Sequence, residues 1–416
     1  MNAGRRAERR RPPFPLRIGD ALGRALERLG WSYATLDEQA LCAAACRKTR
    51  LSDFGDERFR PLFRQRIRDL QNLFEQLDFV GRLVARVLFV RTLRNRLLIQ
   101  QRITEHPEIL QVRVSRPLVI AGLARTGTSL LVNLLAQDPG SRPLLLGEAL
   151  APASLQLPVG AGGDPRLRRA ARFVWLLNHV APGLRSIHIL EPQAPIVECI
   201  RLFHNTFLAR LTTSRDMQQV REAFSPETLA WAYRDYYRQL QLLEWQRPAP
   251  DHWLLKWPQH LYALDTLVKT VPDVAIVQTH RDPAQVIPAI CQLVGRFGVF
   301  LSNQRWKEQP RHVVALCEEI LRRALEARQH IPPGRVSLHR CVRPTSADVA
   351  RAAPRTEPRR ALLRSRAVRP GSRQRPAVAR LLLQAVRGRA EWLSASPFVH
   401  ARRGAHARLS SRHHPD

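Results

Sequence analysis

The sequence predicts an α/β fold: a P-loop-like parallel sheet flanked by helices, preceded by an N-terminal helical region. Three observations predict it. Short apolar runs at 117–121, 253–256 and 274–279 alternate with helix-like text, the pattern of parallel strands buried on both faces. The first run leads through a glycine-containing loop into a helix start, and the third leads into Asp282-Pro283, a pair suited to a first helical turn. Ahead of them, residues 18–115 carry apolar residues three and four apart, the spacing of helices packed on one face.

Taken in order, residues 1–17 read as a disordered basic arm. Within 18–115, Leu70, Leu73, Phe74 and Leu77 form one apolar stripe, and Leu83, Val84, Val87 and Leu88 form another. Ser52-Asp53-Phe54-Gly55-Asp56 breaks the helices apart. The α/β domain spans 116–334. Inside it, 151–224 gives few firm signals, Ser225-Pro226 opens a helix running to about Gln246, and 261–269 reads as a further helix. Residues 335–416 form an atypical Arg-rich tail, expected to be poorly ordered.

Composition narrows the function classes. The 416 residues are 44% hydrophobic, with 67 Lys plus Arg against 35 Asp plus Glu; this excludes disorder throughout, and the basic excess reads as a polyanionic partner, an anionic small substrate or a biased coding sequence. The tail holds 19 Arg, no Lys and four acidic residues, so nearly half of the imbalance sits in the last fifth of the chain. Six cysteines occur without a CxxC pair, which predicts reduced thiols, a cytoplasmic location and no metal site. The most apolar helical text, 79–90, is interrupted by Arg82 and Arg86, and no transmembrane segment is expected.

Chemistry concentrates in two strand-to-helix turns. Gly122-Leu123-Ala124-Arg125-Thr126-Gly127-Thr128-Ser129 has P-loop glycine spacing, but Thr128 stands where a nucleoside triphosphatase needs lysine. Its cation is Arg125, inside the loop. Backbone N–H groups, the helix dipole and the hydroxyls of Thr126, Thr128 and Ser129 suit an anion. A Gly-containing turn without ligand is the alternative. Thr279-His280-Arg281-Asp282-Pro283 makes a second such turn, with Arg281 placed for another phosphate or for a structural ion pair. Lys256 ends a strand, where an open α/β sheet faces its ligand crevice, unless it is simply exposed. Glu148, in Leu146-Gly147-Glu148-Ala149, can take a proton from a hydroxyl nucleophile or merely start a helix. His260 and His280 are alternative bases, or packing histidines.

Residues 117–138, Glu148, 253–265 and 271–289 together resemble the sulfotransferases that use 3′-phosphoadenosine 5′-phosphosulfate (PAPS). The likeness is to the bacterial branch with a PRTGTT-type loop and a THRDP-type segment, and it spans roughly 40–335. It implies that Arg125, Thr126, Gly127, Thr128 and Ser129 bind the 5′-phosphosulfate and that Arg281 holds the 3′-phosphate. Glu148 would act as base, while Lys256 and Arg125 neutralise charge on the sulfonate and leaving phosphate. The product would be 3′-phosphoadenosine 5′-phosphate (PAP). The acceptor would be a hydroxyl or amine of a small molecule, glycan or lipid.

Departures accompany the resemblance. Ala289 replaces a serine that donates to the 3′-phosphate, Gly147 replaces a tryptophan beside the glutamate, and Ile196-Val197-Glu198 stands where the family often has an acidic pair. No DL/DP segment follows Gly334, so the text from about Arg335 reads as a shifted frame or an equally divergent tail, which could leave the enzyme impaired. Two other functions compete: a basic protein holding nucleic acid or another polyanion, disfavoured by few interleaved aromatics, and a P-loop kinase-like enzyme, disfavoured by the missing loop lysine.

Overall fold

In the computed structural model, the described residues are 36–74, 79–153, 164–180, 194–195, 197–208, 217–302, 309–332 and 334–340, with positions 23, 25, 28 and 29. The first strand, β1 (Leu118–Gly122), is buried at every position and forms the centre of a five-stranded sheet. Around it lie β2 (Ser141–Pro143), β3 (His252–Lys256), β4 (Ala275–His280) and β5 (Val336–Arg340), in the order β2-β3-β1-β4-β5, every pair parallel. Leu118 lies opposite Leu254 on one side and Ala275 on the other.

Strand alternation divides the core between two faces. Leu118, Ile120, Leu254 and Val277 pack with Leu131, Val132 and Leu135 of α4 (Thr128–Leu135) on one face. Val119, Ala121, Trp253, Leu255 and Ile276 face the larger core, with Tyr233, Tyr236, Leu240 and Leu243 of α9 (Pro226–Gln246). The expected Ser225 start of that helix is observed: its side chain accepts from Thr228 N and Pro226 follows. The predicted helix over 261–269 is instead a 3-10 turn, Pro258–Ala263, running into α10 (Leu264–Thr270).

Three helices precede the sheet among the described residues: α1 (Glu38–Thr49), α2 (Phe59–Phe74) and α3 (Phe79–Glu105). Asp37 caps α1 by accepting from Ala40 N at 2.7 Å. One predicted stripe is overturned, because Val84, Val87 and Leu88 are exposed whereas Phe89, Leu93 and Leu97 are buried. In a helix of 27 residues the buried face is selected by its neighbours, here Phe59, Phe63 and Phe207 around Phe89. Buried Arg96 ties this region down, donating to the carbonyls of Phe54, Asp56 and Asn205.

The sheet also runs past the predicted domain end at Gly334. Residues 336–340 form the edge strand β5, registered from Ile276↔Val336 to His280↔Arg340. Tail residues 341–416 and the arm 1–17 lie outside the described residues. Among the described residues no helix is long and apolar enough to cross a membrane.

Candidate functional site

β1 ends against β4, with Gly122 opposite Thr279. A Cβ at Gly122 would overlap the Thr279 hydroxyl and sit 2.9 Å from its carbonyl oxygen, so only glycine lets the strands close here. The loop then turns through two left-handed residues, Arg125 at φ 72° and Gly127 at φ 93°, before α4 begins. The first N–H groups of any helix lack intrahelical partners, and here they open toward the carboxyl edge of the sheet, where such folds bind ligands.

Not every predicted loop donor faces that edge. Thr126 is buried; its hydroxyl donates to Leu123 O at 2.6 Å and pairs with Thr279 Oγ1 at 2.6 Å. It therefore clamps the loop to β4, a correction to its expected role as an anion donor. Arg125 is exposed. Arg281, at the end of β4, donates through Nη1 to Arg125 O at 3.4 Å and through Nη2 to Gln285 Oε1 at 2.7 Å. Asp282 caps the following helix α11 (Pro283–Ser302), accepting from Ala284 N at 2.9 Å. The two arginine turns are thus in direct contact.

Lys256 completes this group from β3. Ile120 pairs with Lys256, so the lysine projects to the α4 face of the sheet. Its Nζ lies 3.0 Å from Ser129 Oγ and 3.1 Å from Glu198 Oε1, with the Lys256 side chain only 1% exposed. A neighbouring strand thereby brings an ammonium to the loop that lacks its own lysine.

Glu148 is not part of this group. It lies in the short helix α5 (Leu146–Leu150), its side chain 1% exposed, where Oε1 accepts from Arg142 at 3.1 Å and Arg247 at 3.0 Å. Arg166 approaches the same oxygen at 3.9 Å, and Leu145 N donates to Oε2. The Arg142 guanidinium stacks 3.6 Å over the Trp253 ring, and Trp253 and Lys256 point to opposite faces of β3. Glu148 is thus the anion of an arginine cluster on the α9 side of the sheet, apart from the loop and Lys256 beside which a base was expected.

His260 is also internal. It is fully buried beneath Phe203 and Trp257, with Nδ1 2.9 Å from the Tyr233 hydroxyl. Burial pushes its pKa down to about 3. The unfolded chain therefore takes up a proton below about 6.5 that the folded chain refuses, and stability declines as pH falls from there toward 3. Urea unfolding at pH 7 and 4.5 should show a smaller acid loss in His260→Gln than in the wild type. Among the described residues the His280 Nε2 has no hydrogen-bond partner, and burial lowers its pKa.

A family model described as "Sulfotransferase family" matches residues 117–338, more than half of the chain. The chain belongs to the sulfotransferase family. Sulfotransferase STF1 from Mycobacterium tuberculosis H37Rv has a similar solved structure, with TM-score 0.62 at 24% identity over 74% of this chain and 85% of that one. Sulfotransferase STF9 from Mycobacterium avium is similar with TM-score 0.62 at 23% identity, over 74% of this chain and 79% of that one. No curated protein matches the chain in sequence. The matched family segment includes β1 through Leu338 of β5, so the last strand belongs to the sulfotransferase unit as well as to the sheet.

Proposed function

We propose that this sulfotransferase moves a sulfonate group from PAPS to a hydroxyl or amine acceptor, a small molecule or an exposed group of a glycan or lipid. The observation that carries the reading is the contact between Arg281 Nη1 and Arg125 O, because it gives two anion-binding turns one shared edge. A nucleotide with phosphate groups at both its 3′ and 5′ positions needs two such turns side by side.

In this reading Arg281 holds the 3′-phosphate, without help from Ala289, whose position carries no hydroxyl. The free N–H groups at the start of α4, Arg125, Thr128 and Ser129 bind the 5′-phosphosulfate. Gly127 provides the turn that lets the backbone approach it. Lys256 lies against Ser129, where it can meet charge building on the bridging oxygen as the sulfur–oxygen bond breaks. Preorganised donors aimed at developing charge contribute about 3–4 kcal/mol each. A transferring sulfonate bears less charge than a terminal phosphoryl group, so these cations suffice for the role that a metal ion plays in phosphoryl transfer.

Calorimetric titration of the full chain with PAP tests the reading. Saturable binding is expected, and no heat of binding up to about millimolar PAP, a limit of only about 4 kcal/mol, would contradict it.

A further inference from the structure

We propose that Glu198 is the general base that takes the acceptor's proton, an inference that rests on the sulfotransfer reading above. Two carboxylates compete for this task, and geometry separates them. Glu148 is sealed beneath three guanidiniums on the α9 face of the sheet. The Glu198 side chain is 23% exposed and lies 3.1 Å from Lys256 Nζ, which in turn reaches Ser129 in the first turn of α4. Glu198 is therefore one ammonium away from the loop that would receive the sulfonate.

Its backbone is fixed there. Cys199 N donates to Lys256 O at 2.8 Å, pinning this segment to the carboxyl end of β3, and α7 (Ile200–Phe203) begins directly afterwards. Among the described residues, the titratable groups in the field of this carboxylate include Lys256, Arg201, Cys199 and His260. The Lys256 ammonium sits directly against this carboxylate.

The acceptor O–H proton passes to the Glu198 carboxylate while its oxygen forms a bond to sulfur. The bond between sulfur and the bridging oxygen breaks, and that oxygen leaves on the 5′-phosphate with the electron pair. Lys256 turns its hydrogen bond from Glu198 to the departing oxygen. The carboxylate thus loses its cation as the proton arrives and becomes a stronger base at the moment it acts.

The test uses the full chain, with PAPS as donor and two phenols as acceptor probes, 4-nitrophenol and the far less acidic 4-methoxyphenol. Glu198→Gln should bind PAP within about threefold of the wild type and transfer to 4-methoxyphenol about 10²–10⁴-fold more slowly. The deficit should shrink with 4-nitrophenol, which ionises near neutral pH without assistance, and Glu198→Asp should restore part of the rate. A mere counterion for Lys256 would instead impose the same deficit on both phenols. That result, or transfer by Glu198→Gln at the wild-type rate, overturns the proposal. The same phenol-dependent loss in Glu148→Gln rather than in Glu198→Gln would also overturn it. Failure of the wild type to bind PAP would strike the sulfotransfer reading itself and is read separately.

Discussion

Lys256→Met should give a folded chain that still binds PAP but releases it from PAPS about 10²–10³-fold more slowly, the loss expected when one preorganised donor is removed from a developing oxyanion. The methionine keeps the length and apolar stem of the lysine, so packing against the α4 face survives. What disappears is the ammonium between Ser129 and Glu198. Removing one partner of a buried ion pair costs about 3–5 kcal/mol when the remaining charge is sealed from water. Glu198 is partly exposed, and water can replace the ammonium at a smaller cost. Single-turnover release of PAP, with a thermal unfolding curve on the same preparation, separates the two effects. A variant that unfolds early and turns over normally when folded would make Lys256 a structural residue.

Glu148→Ala should have the opposite signature, a large loss of stability. Arg142 and Arg166 are almost wholly buried with Glu148 between them, and Arg247 closes the cluster from a more exposed position. Arg142 Nε and Nη1 have no hydrogen-bond partner among the described residues, so Glu148 is its main compensation besides Leu243 O and the Trp253 ring. Burial already lowers the Arg142 pKa to about 10, with Glu148 opposing that shift. Leaving these charges unpaired should cost about 3–5 kcal/mol, read as a reduced denaturant midpoint. Glu148→Gln should also destabilise the chain, since it removes the charge while keeping an acceptor for Leu145 N. Normal stability with abolished transfer would restore Glu148 to the catalytic role.

These two expectations mark where the sequence was readable. Continuous apolar runs in β1 and β3 announced strands buried on both faces, and glycine spacing with Arg125 and Arg281 announced the paired turns. The side to which Glu148 turns was not readable. It depends on Arg142 stacking over the distant Trp253 and on Arg247, 99 positions from Glu148 and beyond the end of α9, contacts that no local pattern encodes. Thr126 looked like an anion donor because its hydroxyl lies in the loop, yet β4 supplies Thr279 to claim it. Glu198 was visible only as the remnant of an acidic pair, and its proximity to Lys256 required the strand register. The edge strands were hidden for different reasons: β2 is three residues long and contains Pro143, and β5 is embedded in arginine-rich text.

The most direct test of a single crevice holding both ends of one nucleotide is calorimetry of PAP and adenosine 5′-monophosphate on the wild type and on Arg281→Ala. Losing a charge-assisted bond to phosphate costs about 1.5–3 kcal/mol, so Arg281→Ala should weaken PAP by about 10–150-fold while leaving adenosine 5′-monophosphate within about threefold. Equal weakening of both ligands, or unchanged affinity for PAP, would contradict the account.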